Sequence, residues 1–243
     1  MNDMPEQKKI EYKPLEATLG YTFKDQSILT QALTHRSYLN EHSNFPFPHN
    51  ERLEFLGDAV LELIVTEHLY KNFGNPEGEL TNWRAALVNA KTLSGIASQL
   101  KFEDYLLLSK GEAKDKDSKA RMYILANAIE AIIGAIYLDG GTEGVSGFIH
   151  AHILSHLPFI LKNKLYIDPK SRFQETAQEL LGVTPSYKVI KETGPDHNKE
   201  FTVGVFLEKE LVAIGSGTSK QEAQISAAQA GLEAKRWDGI ETK

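Results

Sequence analysis

The chain has 243 residues, 41% of them hydrophobic, a formal charge of −6 and no cysteine. That length allows one large domain or two unequal ones. The lack of cysteine excludes a disulfide framework, a thiol nucleophile and a thiolate zinc site, and the acidic balance argues against indiscriminate binding of nucleic acid.

No apolar run approaches the ~18–20 residues of a membrane span. The N-terminal MNDMPEQKKIEYK lacks a signal-peptide core, so a cytoplasmic protein without membrane contact is expected. There is no P-loop or dinucleotide fingerprint, which predicts no nucleotide cofactor.

In chain order, the first ~15 residues are polar and predict a frayed terminus. Thr22 and Asp25 have the spacing of a capping box and predict a helix over about 22–34. His35 to His49, with Pro46, Pro48 and two Asn, reads as a loop. Asn50 to Leu63, NERLEFLGDAVLEL, then opens a helix that runs to about Asn72 and ends at Gly74, Asn75, Pro76 and Gly78.

On that helix Glu51, Glu54, Asp58 and Glu62 form one acidic stripe at ~100° per residue. Leu53, Leu56, Val60, Leu63 and Ile64 fall on the opposite side, which predicts a buried face. The stripe contains no Lys or Arg, and like charges one turn apart repel by roughly a few tenths of a kcal/mol.

Leu80 to Leu100 predicts one further helix, and Gly111 to Arg121 a solvated charged loop. Tyr123 to Leu138 is apolar nearly all round and predicts a buried helix, stopped by Asp139, Gly140 and Gly141; another follows over about 143–157. His150, His152 and His156 include an i, i+4 pair, but nothing beside them supports zinc, and they read as surface histidines.

Beyond a boundary near 165 the pattern changes. A helix over 171–181, strands over 187–191, 201–208 and 210–215, and a helix over about 219–236 predict an α-β-β-β-α unit, a small antiparallel sheet with both helices on one face. The expected architecture is an all-α domain over 10–160, a linker at 161–167 and a small α+β domain over 168–237.

Two polar residues interrupt the apolar helix, Asn127 and Glu130, at i and i+3 on one face. An unpaired carboxylate there costs several kcal/mol or shifts its pKa until it is neutral. Glu54 with Asp58, and Asn127 with Glu130, are oxygen ligands on two helices that could converge on a hard cation such as Mg²⁺. A solvated acidic face and a paired structural carboxylate are the alternatives.

At these residues the sequence resembles a known family. HNERLEFLGDAVL from His49 is similar to the signature stretch of ribonuclease III, and ILANAIEAIIGAIYLDGG to its second acidic motif. The C-terminal unit resembles a double-stranded-RNA-binding domain. The likeness covers about residues 10–236.

The resemblance implies a homodimeric endonuclease that cuts both strands of duplex RNA with a Mg²⁺-activated water, Mn²⁺ substituting, and leaves 5′-phosphate and 3′-hydroxyl ends. It implies ribosomal RNA precursors and structured mRNA as substrates. Glu54, Asp58, Asn127 and Glu130 match its metal site, with Asp58 and Glu130 catalytic; Glu51 and Glu77 match accessory acidic positions. Gln174, Glu175, His197, Ser219 and Lys220 match its RNA-binding surfaces.

Two departures stand out. The family usually has Asp at position 127, so the ligand set carries one charge fewer. Gln221 replaces a common Lys, and residues 168–243 hold ten basic against twelve acidic side chains. A duplex-RNA-binding protein with a degraded nuclease site is the alternative that Asn127 raises.

Overall fold

The structure is a computed structural model and describes residues 11–116, 118–195 and 199–237. Its backbone contacts group into two compact units, up to Ile160 and from Leu161.

The first unit is helical. The helices are α1 (Lys13–Leu19), α2 (Gln26–Ala32), α3 (Arg36–Glu41), α4 (Glu51–Asn72), α5 (Glu77–Val88), α6 (Ala90–Gln99), α7 (Lys110–Lys114) and α8 (Lys119–His152). A last short helix, α9 (Leu157–Lys162), crosses the boundary between the units. The centre is α8, whose residues Ala128–Ile136 are buried except Glu130, with α4 and α6 packed against it. This helix is apolar and long enough to cross a membrane by composition, yet its apolar surface is spent on the core.

Several boundaries differ from those the sequence predicts. The N-terminal region is ordered from α1, because Leu15 and Leu19 are buried. Asp25, not Thr22, caps α2 by accepting from the Ser27 amide at 2.9 Å. The expected loop at 35–49 contains α3, capped by His35. The single helix expected over 80–100 is two, because Asn89 leaves helical geometry and caps α6 with its own side chain.

The charged segment after Gly111 is partly helical, in α7, and Ser118 caps α8 within it. At the other end α8 kinks at Gly141 (φ 65°, ψ −165°) and resumes. Asp139 fastens this bend. Its carboxylate accepts from the Tyr21 hydroxyl (2.7 Å) and the Lys24 and Asp25 amides (3.0 Å each).

The second unit has α10 (Pro169–Leu181), β1 (Ser186–Thr193), β2 (Glu200–Leu207), β3 (Glu210–Gly217) and α11 (Lys220–Lys235). The strands form an antiparallel sheet in the order β1-β2-β3. Val203, Val205 and Leu207 alternate along β2 and bury against Phe173 and Ala177 of α10 and Ala223, Ala227 and Leu232 of α11. Small residues on α11 let it lie close to the sheet: a Cβ at Gly215 would meet the Ala227 Cα at 2.7 Å.

Candidate active site

The acidic helix α4 and the apolar helix α8 touch backbone to backbone. A side chain at Gly57 would collide with the Glu130 carbonyl and lie 2.8 Å from the Gly134 amide; one at Gly134 would strike the Leu53 carbonyl. Two glycines therefore set the approach of the helices. Glu54 and Asp58 flank Gly57, and Asn127 and Glu130 lie on the turns of α8 beside Gly134, so all four share one junction.

The electrostatics report the same meeting. Burial, joined by the charges of Asp58 and Glu54, pushes the Glu130 carboxyl up to about 7. Glu54 is also raised, by burial first and then by Glu51 and Asp58, against a hydrogen bond donated by the Asn127 amide. Asp58 is exposed at the mouth, while the other three are half-buried.

This orientation corrects the expected division of α4. The carboxylates Glu54 and Asp58 turn toward α8; of the side expected to be buried, Leu53, Val60 and Ile64 are buried and Leu56 is half-buried, but Leu63 is 68% exposed. The physical reason is the glycine contact. Gly57 lies between the apolar and acidic arcs, so packing on it rotates the core toward Leu53, Leu61 and Val65.

The ends of the acidic stripe have basic partners that sequence order concealed. Arg36 of α3 pairs with Glu51 at 3.1 Å, and His49 lies 3.8 Å from the same carboxylate. Arg84 of α5 reaches Glu62 at 4.0 Å and donates to the Thr66 hydroxyl at 3.0 Å. Among the described residues no such ion pair reaches Glu54, Asp58 or Glu130. Glu77 is exposed at the start of α5 and accepts from the Thr81 hydroxyl, apart from the junction of α4 and α8.

Three carboxylates and an amide form a hard, oxygen-only donor set that fits a divalent cation such as Mg²⁺. Among the described residues no three His, Cys, Asp or Glu side chains are already gathered closely enough to hold one. Glu54, Asp58 and Glu130 nonetheless feel one another's charge, which helps raise the carboxyls of Glu54 and Glu130.

In the second unit Ser219 caps α11 by accepting from the Glu222 amide at 3.1 Å, and Lys220 stands at the first turn. Lys220 is already engaged: its ammonium lies 3.2 Å from Glu192 and 5.5 Å from the centre of the Phe201 ring. Gln174 and Glu175 are exposed on α10. His197 lies outside the described residues. Lys170 and Arg172, which the sequence suggests as local charge, are tied to Gln224 and to the Asn163 and Trp237 carbonyls.

Comparison with known proteins agrees with both halves. Residues 25–157 match the family described as Ribonuclease-III-like, and residues 169–235 match the double-stranded RNA binding motif. Ribonuclease 3 of Oceanobacillus iheyensis is 42% identical over 225 residues, covering 92% of this chain and 98% of that protein. Ribonuclease 3 of Protochlamydia amoebophila is 44% identical over 215 residues, 88% of each chain.

Among solved structures, a nuclease domain of ribonuclease III from Campylobacter jejuni is 41% identical with a TM-score of 0.53, covering 63% of this chain and 98% of that one. A second structure of that domain, described for flexibility in a region involved in dimer formation, matches equally at 61% and 99% coverage. With a helical nuclease domain, a double-stranded-RNA-binding domain and relatives alike over nearly their whole length, the chain belongs to the ribonuclease III family and is an endoribonuclease of double-stranded RNA.

Proposed function

We propose that Glu54, Asp58, Asn127 and Glu130 form the metal site of this nuclease and that Asp58 and Glu130 carry its chemistry. The observation behind this is the Glu130 carboxyl, raised to about 7 by burial and by two carboxylates across the Gly57–Gly134 contact. A half-buried carboxyl raised first by burial and then by two neighbouring carboxylates is a group that a bound cation would stabilise in its charged form.

Mg²⁺, or Mn²⁺ in its place, would be held by these four residues and would supply a lowered water pKa and neutralisation of phosphate charge. The protein's own part is positional. Gly57 and Gly134 hold the two helices in contact, which brings the turns that carry the four residues to one junction, with Asp58 exposed and the other three half-buried. Without metal the Glu130 carboxyl is raised to about 7 by burial and by Asp58 and Glu54, and a bound cation would favour its charged, ligating form. Glu51, paired with Arg36, is assigned a supporting role on α4, and Glu77 is assigned no chemistry.

The duplex is held by phosphate contacts from Lys220 and the N-terminus of α11, with Gln174, Glu175, Ser219 and His197 completing the surface. Ribosomal RNA precursors and structured mRNA are the proposed natural substrates, met in the cytoplasm. The working form is a homodimer with one centre per strand. In support, Phe55, Leu63 and Tyr70 leave an apolar stripe on α4 beside a cavity of about 530 Å³ lined by Thr66, Leu69, Phe73 and Leu80.

The deciding experiment is incubation with a long RNA duplex with and without Mg²⁺. Metal-dependent cuts on both strands, leaving 5′-phosphate ends, are expected. Cleavage that persists in chelator, or that survives Asp58→Ala, would remove the proposed site.

A further inference from the structure

Asn50 stands at the N-cap of α4, a place where an Asn side chain ordinarily accepts from an amide of the first turn. Here it caps nothing in its own helix, and its backbone is already helical (φ −80°, ψ −11°). The residue is only 3% exposed, and its side chain turns back to α2, where Nδ2 donates to the Ala32 carbonyl at 3.2 Å. The Asn50 amide donates to the Thr34 carbonyl at 2.9 Å.

Satisfying the end of α2 explains half of this. The last carbonyls of a helix have no partner within it, and any donor or water can fill the need. The other half is the carbonyl of Asn50, which accepts from the Leu53 and Glu54 amides at 2.9 Å each. One buried residue thus joins the end of α2 to the first turn of α4, and Glu54 hangs from that turn. The α2 side is itself held: the Leu107 amide donates to the Leu33 carbonyl at 2.9 Å, and the Leu107 carbonyl accepts from the His35 amide at 3.0 Å.

The Gly57 contact with α8 is the other fixing point, and Glu51 and Glu54 lie between the two. A contact at Gly57 alone would leave the start of α4 free to tilt about it. A tilt of ~10° would carry the Glu54 backbone, three residues or ~4.5 Å along the axis, through roughly 0.8 Å. That exceeds the ~0.5 Å within which a metal or catalytic constellation must be held. We infer, on the metal-site reading above, that Asn50 is a positioning residue for the acidic centre: its tether to α2 fixes the tilt of α4 and so the place of the Glu54 carboxylate relative to Asn127 and Glu130.

The test is a titration of the full chain with Mn²⁺, without RNA, read by calorimetry and joined to cleavage kinetics on a long RNA duplex. Asn50→Ser is the leading variant. Serine can cap α4 in the ordinary way but is too short to reach the Ala32 carbonyl, so the helix keeps its start and loses its tether. Mn²⁺ binding should weaken about tenfold, and kcat should fall by about tenfold or more while KM for the duplex stays within about twofold. A residue that only stabilised the fold would lower Tm and leave both values intact in the folded enzyme.

Asn50→Asp keeps the size of the side chain, removes the donor and adds a charge; it serves where the serine variant does not fold, and its kcat should fall likewise. Gln31→Ala is the control, because it removes the neighbouring link from α2 to the His49 carbonyl (3.4 Å) and should change neither value. Unchanged Mn²⁺ affinity and kcat in Asn50→Ser, or an equal loss in Gln31→Ala, overturns the role of Asn50. If the wild type binds no Mn²⁺, or Asp58→Ala binds it like the wild type, the metal site is wrong and that role falls with it. If Asp58→Ala loses the ion and Asn50→Ser keeps it, only the role of Asn50 is wrong.

Discussion

The two functional regions handle charge in opposite ways. At the α4–α8 junction three carboxylates are held together by a backbone contact, without a cationic partner among the described residues, and Glu130 is pushed to about 7. At the start of α11 the important cation is exposed and already has both a carboxylate and an aromatic face. One site is built on a tight backbone contact and left without cations, the arrangement that the proposed metal ion would complete. The other is satisfied in its free state, and RNA must compete with what is there. Catalytic geometry should therefore be intolerant of small changes, and RNA affinity should be graded.

The sharpest way to break the contrast is Gly57→Ala. The added methyl would collide with the Glu130 carbonyl, which is backbone and cannot swing aside. Overpacking at a helix contact costs about 1–3 kcal/mol, and this position should reach or exceed the top of that range. Thermal unfolding should show a large fall in Tm, and cleavage should be lost even at temperatures where the variant stays folded. The same change at exposed Gly95, on a helix with open space around it, should be harmless or stabilising.

Next in size is Glu130→Gln, where activity and stability should move in opposite directions. Cleavage should be lost because a proposed metal ligand is gone. Stability in chelator should rise, by roughly 1 kcal/mol after allowing for solvent screening at a half-buried site. The pH dependence gives the sign. A carboxyl whose pKa is raised by folding binds more protons folded than unfolded, so wild-type stability falls as pH climbs from near 4.5 to about 7. The variant should gain most at and above pH 7, and a gain independent of pH would place the effect elsewhere.

Asn127→Asp is a finer probe of the same junction. The Asn127 amide donates to Glu54; a carboxylate in its place would withdraw that bond and add a fourth negative charge. Metal-free stability should drop by about 1 kcal/mol, while the Mg²⁺ concentration for half-maximal cleavage should fall several-fold. A requirement that is unchanged or raised would count against Asn127 as a ligand.

What the sequence made legible was periodic or local. The acidic pair on α4, the two polar residues on α8 and the turn residues around the three strands all repeat at the spacing of their element. What it concealed was the meeting of distant segments. Arg36 and Arg84 neutralise Glu51 and Glu62 across helices, and no pattern within α4 announces them.

The rotation of α4 was misread for a related reason. Hydrophobicity alone placed Leu63 inside, but Gly57, the residue with no side chain to score, decides which arc faces α8. Likewise Asn89, a polar residue within an apolar repeat, reads as a helical position until its side chain is seen capping the next helix.

The smallest expected effect tests the second half of the contrast. If Glu192 occupies Lys220 as a stand-in for phosphate, Glu192→Gln should free the lysine and tighten duplex RNA binding, whereas Lys220→Ala should weaken it. Both partners are exposed, at 58% and 41% of their side chains, so the competing pair contributes about 0.2–1 kcal/mol and the gain should be roughly 1.5- to 5-fold. Salt separates this from a general charge effect. Lys220→Ala removes one phosphate contact and should reduce the slope of log affinity against log salt by about one. Glu192→Gln leaves that contact in place, so its slope should stay at or above the wild-type value, with the largest gain at low salt. Weaker binding by Glu192→Gln would mean that the carboxylate positions Lys220 for the phosphate instead of competing with it, and the RNA surface would then be as preorganised as the acidic centre.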